Sequence, residues 1–150
     1  MTMPETVHAS AVLIGGCGVL IRGASGSGKS SLVLGLIDRD PSSTRLVADD
    51  RVHLDADRGR LFAAVPEAIA GKLEIRGQGI VEVPHVSPAV ICLVVDLLPR
   101  NRCPRLPETV DTRVEVRGVI LPRLMLPIGS IDGPARVRVA ARPLPGATAA

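Results

Sequence analysis

The chain has 150 residues, 46% of them apolar, with 18 cations against 15 anions and Phe62 as its one aromatic ring beyond three histidines. At a mean hydropathy of +0.31 this is one domain's length with ample core material, which excludes disorder away from the ends. No apolar run reaches the roughly 18–20 residues of a membrane span, and scattered arginines without aromatic stacking platforms argue against nucleic acid. The cysteines, Cys17, Cys92 and Cys103, are odd in number and lack a C-x-x-C, which excludes a disulfide scaffold or zinc ribbon and leaves buried free thiols as the expectation. The run 11–21 is broken by Gly15, Gly16 and Gly18 and has no basic flank, so it reads as fold rather than signal segment, with the cytoplasm as the expected compartment.

In chain order, residues 1–7 read as a loose end. Apolar runs at 11–14 and 19–22 around a Gly-Gly-Cys-Gly turn predict two paired strands. After the glycine-rich stretch 23–30, Leu32, Val33, Leu34, Leu36 and Ile37 recur with helical spacing until Asp40-Pro41 stops the helix. Residues 45–48 form a short strand ending in Asp49-Asp50, and 52–54 with 60–63 flank a glycine-containing hairpin turn. A helical turn is expected at 66–70 and an irregular extended segment at 72–83. The nearly uniform apolar run 90–98 has the pattern of a strand covered on both faces. Residues 99–112 read as an exposed loop, 114–119 and 135–140 as strands, 124–128 as a weaker strand, and 143–150 as a second loose end. The expected fold is α/β and strand-rich, with one main helix.

Gly23-Ala24-Ser25-Gly26-Ser27-Gly28-Lys29-Ser30 matches G-x-x-x-x-G-K-[ST], between an apolar strand and an amphipathic helix. Glycines let successive backbone N–H groups turn toward phosphate oxygens beside a helix N-terminus. In such a loop the lysine reaches the β and γ phosphates and the hydroxyl can ligate Mg²⁺. A carboxylate at a neighbouring strand end should complete the site. Asp96, closing the better apolar run, and the Asp49-Asp50 pair, closing a poorer one, are near-even candidates. Adjacent residues on a strand point to opposite faces, so both aspartates could serve only where the strand ends and turns. His53 and His85 read as structural.

Taken together, His8, the strand 18–21 leading into Gly23–Ser30, the stretch Arg45-Leu46-Val47-Ala48-Asp49-Asp50, and Leu73-Glu74-Ile75-Arg76-Gly77-Gln78-Gly79-Ile80 resemble the catalytic domain of HPr kinase/phosphorylase. The resemblance runs from about residue 8 to 83 and fits a short form, without the N-terminal domain of longer members. It implies a phosphate-loop, PEP carboxykinase-like domain, ATP and Mg²⁺ as cofactors, and a serine of an HPr-like phosphocarrier as acceptor, with possible reversal by phosphorolysis. It further implies Asp49 as the base assisted by His8, with Lys29 and Arg105 compensating charge. Ser30, Asp50 and Glu74 would surround the metal, and Glu74, Arg76, Gly77 and Gly79 belong to the family signature. A hexamer is implied as well. Ser31 departs from the resemblance, standing where an acidic residue is usual. Rival readings are a small-molecule kinase or NTPase sharing only the loop, and a nucleotide-sensing adaptor without transfer.

Overall fold

The computed structural model describes residues 4–142; the expected loose end at 143–150 and residues 1–3 lie outside the described residues. A ten-residue run of almost unbroken apolar side chains is stable as a strand only with both faces covered. Strand β9 (Ala89–Leu98) meets that condition and forms the spine of the molecule. Along one edge it pairs in parallel with β3 (Cys17–Gly23). Its other edge is shared: β6 (Arg60–Ala64) runs antiparallel along its first residues, and β11 (Val119–Pro127) runs parallel along 94–98.

Beyond β3 come β2 (Ser10–Ile14) and β4 (Thr44–Ala48), both joined by antiparallel pairings. Beyond β6 lie β5 (Val52–Asp57) and β1 (Glu5–Val7). Strand β10 (Arg113–Val116) pairs with β11, and β7 (Lys72–Ile75) forms a separate hairpin with β8 (Gly79–Glu82). Helices α1 (Lys29–Arg39) and α2 (Gly133–Ala141) pack on one face over Val12, Val19, Ile21, Leu93 and Val95. On the other face Leu20, Val47 and Val94 meet Leu54, Leu61, Val116 and Leu121, from strands that curl over them. Each such fully buried leucine or valine contributes about 1.5–3 kcal/mol relative to exposure, so the two clusters hold both faces of the sheet.

Four expectations are corrected. Residues 5–7 are no loose end: Glu5, Thr6 and Val7 pair with Leu54, His53 and Val52. The segment 135–140 is helical, so there are two helices rather than one. Its Ala-Arg-Val-Arg-Val-Ala order satisfies a period of two as well as a helical stripe, and Pro134 at the first turn with Val137 buried decides for the helix. The expected strand at 114–119 is interrupted by a turn at Arg117 and Gly118, both at positive φ, whereas the weaker strand expected at 124–128 is present as the end of β11. The thiols are not buried: Cys92 is exposed, and Cys17 and Cys103 are half-buried. No helix of the described residues is long and apolar enough to cross a membrane.

Candidate active site

β3 ends at Gly23, where the chain curls through the glycine stretch and enters α1 at Lys29. Gly26 and Gly28 hold φ of +79° and +98°, a region side chains rarely adopt, which explains glycine at both positions. Lys29 is buried, and its ammonium donates to the carbonyls of Gly23 (2.9 Å) and Ala24 (3.1 Å), fastening the two ends of the loop. The Ser27 hydroxyl is also buried and has no hydrogen-bond partner among the described residues.

Strand β4, two places from β3 in the sheet, delivers the aspartates. It stops at Ala48, and an Arg51 N–H to Asp49 carbonyl bond of 2.8 Å closes a tight turn with Asp50 at its apex, φ +70°. A non-glycine residue in that conformation costs on the order of 1–3 kcal/mol and persists where the surroundings impose it. Here the surroundings are Ser10, whose hydroxyl donates to the Asp49 carboxylate (2.8 Å) and accepts from the Asp50 N–H (3.3 Å). The turn is the condition under which both carboxylates serve one place.

The two carboxylates then divide. Asp49 is 5% exposed and accepts from the hydroxyl of Ser30 at 2.8 and 3.0 Å, as well as from Ser10. Asp50 is exposed, with its carboxylate 2.5 Å from His8 Nε2. The expected partnership of His8 with Asp49 is therefore not the one formed: Ser10 and Ser30 fill the hydrogen-bonding positions of Asp49, and the turn points Asp50 toward His8. A cleft of about 310 Å³ contains His8, Ser10, Gly26, Lys29, Ser30 and Asp50 in its walls, and Glu74 and Arg76 line it as well. Leu73 of β7 is buried while Ile75 and Val81 pack against the α1-side cluster, so alternation turns Glu74 and Arg76 outward to the cleft. Gly77 and Gly79, at φ +85° and +94°, make the hairpin turn that places them.

Asp96 has a different occupation. It receives Arg22 Nε (2.8 Å), Arg22 Nη2 (2.9 Å) and Arg123 Nε (2.6 Å) at the junction of β3, β9 and β11. Burial works to raise its pKa, but hydrogen bonds and charge from the two arginines outweigh it and hold the carboxyl below its ordinary range. Arg105 lies in the exposed stretch 99–112, makes no hydrogen bond or ion pair among the described residues, and is absent from the cleft wall. His53 bonds Thr6 Oγ1 (2.7 Å) and His85 sits beside the Val83 carbonyl (3.1 Å), both away from the cleft.

Ser10 is the residue of the cleft that the sequence pattern did not single out. Its signal was a hydroxyl between Ala9 and Ala11 in an otherwise apolar run, where a buried polar group needs a partner.

Residues 1–131 match the family described as HPr Serine kinase C-terminal domain. The chain belongs to that family. A family relative from Streptococcus thermophilus, named HPr kinase/phosphorylase, is 35% identical over 133 residues, covering 82% of this chain and 42% of the relative. One of the same name from Lactobacillus acidophilus is 36% identical over 135 residues, 83% of this chain and 41% of the relative. The chain thus spans less than half the length of these relatives. The solved Hpr(Ser) kinase/phosphatase from Coxiella burnetii superposes with a TM-score of 0.76 at 29% identity, over 90% of this chain and 87% of that one. The family's mixed α/β, strand-rich architecture is the architecture observed.

Proposed function

We propose that this chain is an ATP-dependent serine kinase acting on an HPr-like phosphocarrier protein, built on a phosphate-binding loop of the PEP carboxykinase-like kind. The observation that carries the reading is the convergence of Lys29, Ser30, Asp50 and His8 on one cleft, from segments far apart in sequence, with Asp49 buried behind Ser10 and Ser30. Phosphoryl transfer asks a protein mainly for positioning and charge compensation, and this set supplies both. Loop N–H groups between Ala24 and Ser30, other than that of Ser27, which bonds the Ala24 carbonyl, would meet the charge of a triphosphate together with the Lys29 ammonium. The orphaned Ser27 hydroxyl and the open space above Gly26 and Gly28 fit a polyanion there.

Among the described residues no group of three or more His, Cys, Asp or Glu side chains forms a metal cage. Mg²⁺ enters with phosphates and takes only one or two protein oxygens. Ser30 would hold it, with Asp49 behind the hydroxyl and Glu74 in the cleft wall; when bound, the ion supplies charge compensation between phosphates. Asp50 is assigned the proton of the incoming serine, with its carboxylate aimed by His8. This exchanges the roles the resemblance implied for the two aspartates: a general base must reach its substrate, and Asp50 is the exposed one. Asp50 returning the proton would serve the reverse, phosphorolytic direction.

Arg105 belongs to a segment that leaves β9 at the same end of the sheet as the loop, since Gly23 and Leu97 are partners. It would serve as a compensating charge only after closing on the cleft. A homo-oligomer, the hexamer of the resemblance, and a cytoplasmic location beside the carrier complete the proposal. The test is mass analysis of purified HPr after incubation with the chain, ATP and Mg²⁺. One phosphoryl group on a serine supports the reading; label passing only to small molecules supports the rival kinase, and binding without turnover supports the adaptor.

A further inference from the structure

The far end of the β3–β9 pair carries a second chemical feature. A Cβ on Gly18 would fall 2.2 Å from the Val90 carbonyl oxygen, so β9 lies directly against the backbone of β3 just beyond Cys17. There the ladder slips: Gly18 faces Ile91 but Val19 faces Leu93, leaving Cys92 as the extra residue of a bulge. The core shows the same slip. Residues i and i+2 of a regular strand share a face, yet Ile91 packs under the curled strands and Leu93 under the helices. The bulge exposes Cys92, while half-buried Cys17 packs on the helix side.

The two side chains come from neighbouring strands and influence each other's ionisation, and both open into a hollow of about 830 Å³ shared with Asp40, Arg138 and Arg142. Asp40 accepts from Ser42 and Ser43, and Arg138 donates to the Leu36 carbonyl and Thr44, so those neighbours are engaged elsewhere. The neighbouring Cys17 thiol, helped by the Gly18 backbone and opposed by burial, draws the Cys92 thiol down to about 7. The same pairing, with burial, pushes Cys17 up. The exposed Cys92 is therefore the more readily ionised thiol of the two.

The geometry points to Cys92 and Cys17 as a hydroperoxide-reactive dithiol that closes to a disulfide between β3 and β9. The Cys92 thiolate attacks the terminal peroxide oxygen; an S–O bond forms, the O–O bond breaks, and the alkoxide leaves as alcohol after taking a proton. The Cys17 sulfur then attacks the sulfenic sulfur. The S–S bond forms, the S–O bond breaks, and hydroxide leaves as water with the Cys17 proton. Two electrons pass from the thiols to the peroxide. Cys17 opens β3 and Gly23 closes it, about 20 Å apart at ~3.3 Å per residue, so this chemistry is separate from the cleft.

The test treats the reduced full chain with tert-butyl hydroperoxide and maps tryptic peptides by mass without reduction. The expected product joins the Cys17 and Cys92 peptides with the loss of two hydrogens, while Cys103 stays open to alkylation. The C17S variant should stop at a sulfenic acid on Cys92, trapped by dimedone. With the wild type at pH 7, iodoacetamide should capture Cys92 about threefold faster than an ordinary exposed thiol: greater thiolate content outweighs lower nucleophilicity. Its rate should have a midpoint near pH 7. Cross-links dominated by Cys103, or a Cys92 midpoint in the ordinary thiol range, would overturn the assignment.

Discussion

Replacing each aspartate of the pair by asparagine separates the roles assigned to them. Asp50→Asn keeps the shape, and asparagine is among the few residues that accept a left-handed backbone such as φ +70°, so the turn should survive. The side chain is 63% exposed with one hydrogen bond to His8, which leaves little stability at stake. What goes is the base, and positioned general bases contribute about 10²–10⁴ in rate, or about 2.7–5.5 kcal/mol of barrier.

Asp49→Asn acts elsewhere. Its remaining carbonyl oxygen can still accept from Ser10 or Ser30, but the second oxygen, 3.0 Å from the Ser30 hydroxyl, becomes an NH₂ and the buried negative charge disappears. The expected outcome is a higher KM for nucleotide and a higher Mg²⁺ requirement, with a smaller fall in kcat. The assay is single-turnover transfer from γ-labelled ATP to HPr, at saturating and limiting Mg²⁺, on variants shown to fold by circular dichroism. Near-normal transfer by Asp50→Asn, together with an Asp49→Asn variant inactive at any Mg²⁺ concentration, would refute the reasoning and return the base to Asp49.

Three further outcomes follow from the same geometry. His8→Ala removes the 2.5 Å contact on Asp50 and should lower kcat about tenfold with little change in KM for nucleotide, an effect His8→Gln partly restores. Asp96→Asn leaves Arg22 and Arg123 without their shared carboxylate, at a cost of about 2–3 kcal/mol given that the arginines are partly solvated. Because the folded pKa of Asp96 is depressed, that contribution is complete above the unfolded carboxylate range near ~4 and is lost as pH falls through the folded value. Urea melts of wild type and variant should therefore converge in acid, and transfer per folded molecule should be unchanged. Gly18→Ala drives a methyl group into the Val90 carbonyl, backbone against backbone, and should cost about 3 kcal/mol or more, read as a lowered Tm.

The strand–loop–helix unit was legible because glycine, lysine and apolar spacing are local signals. The spine β9 was legible because only a doubly covered strand tolerates its composition. Segment 135–140 was not, since a six-residue alternation of alanine, arginine and valine satisfies two periods at once and the packing of Val137 decides between them. At the site, sequence could name both aspartates and state that they act together only at a turn. It could not tell which of the two is buried and which exposed, because that depends on Ser10, some forty residues upstream and adjacent only after β2 and β4 pair. The partnership of His8 with Asp50 rather than Asp49 is likewise a consequence of the left-handed turn, which no side-chain pattern announces.

The most direct measurement is a structure of this chain with HPr and a non-hydrolysable ATP analogue. The acceptor serine hydroxyl should lie within about 2.6–3.2 Å of the Asp50 carboxylate, facing a γ-phosphate held by Lys29 and the loop amides. A serine hydroxyl out of reach of Asp50, or a triphosphate bound away from residues 23–30, would contradict the account.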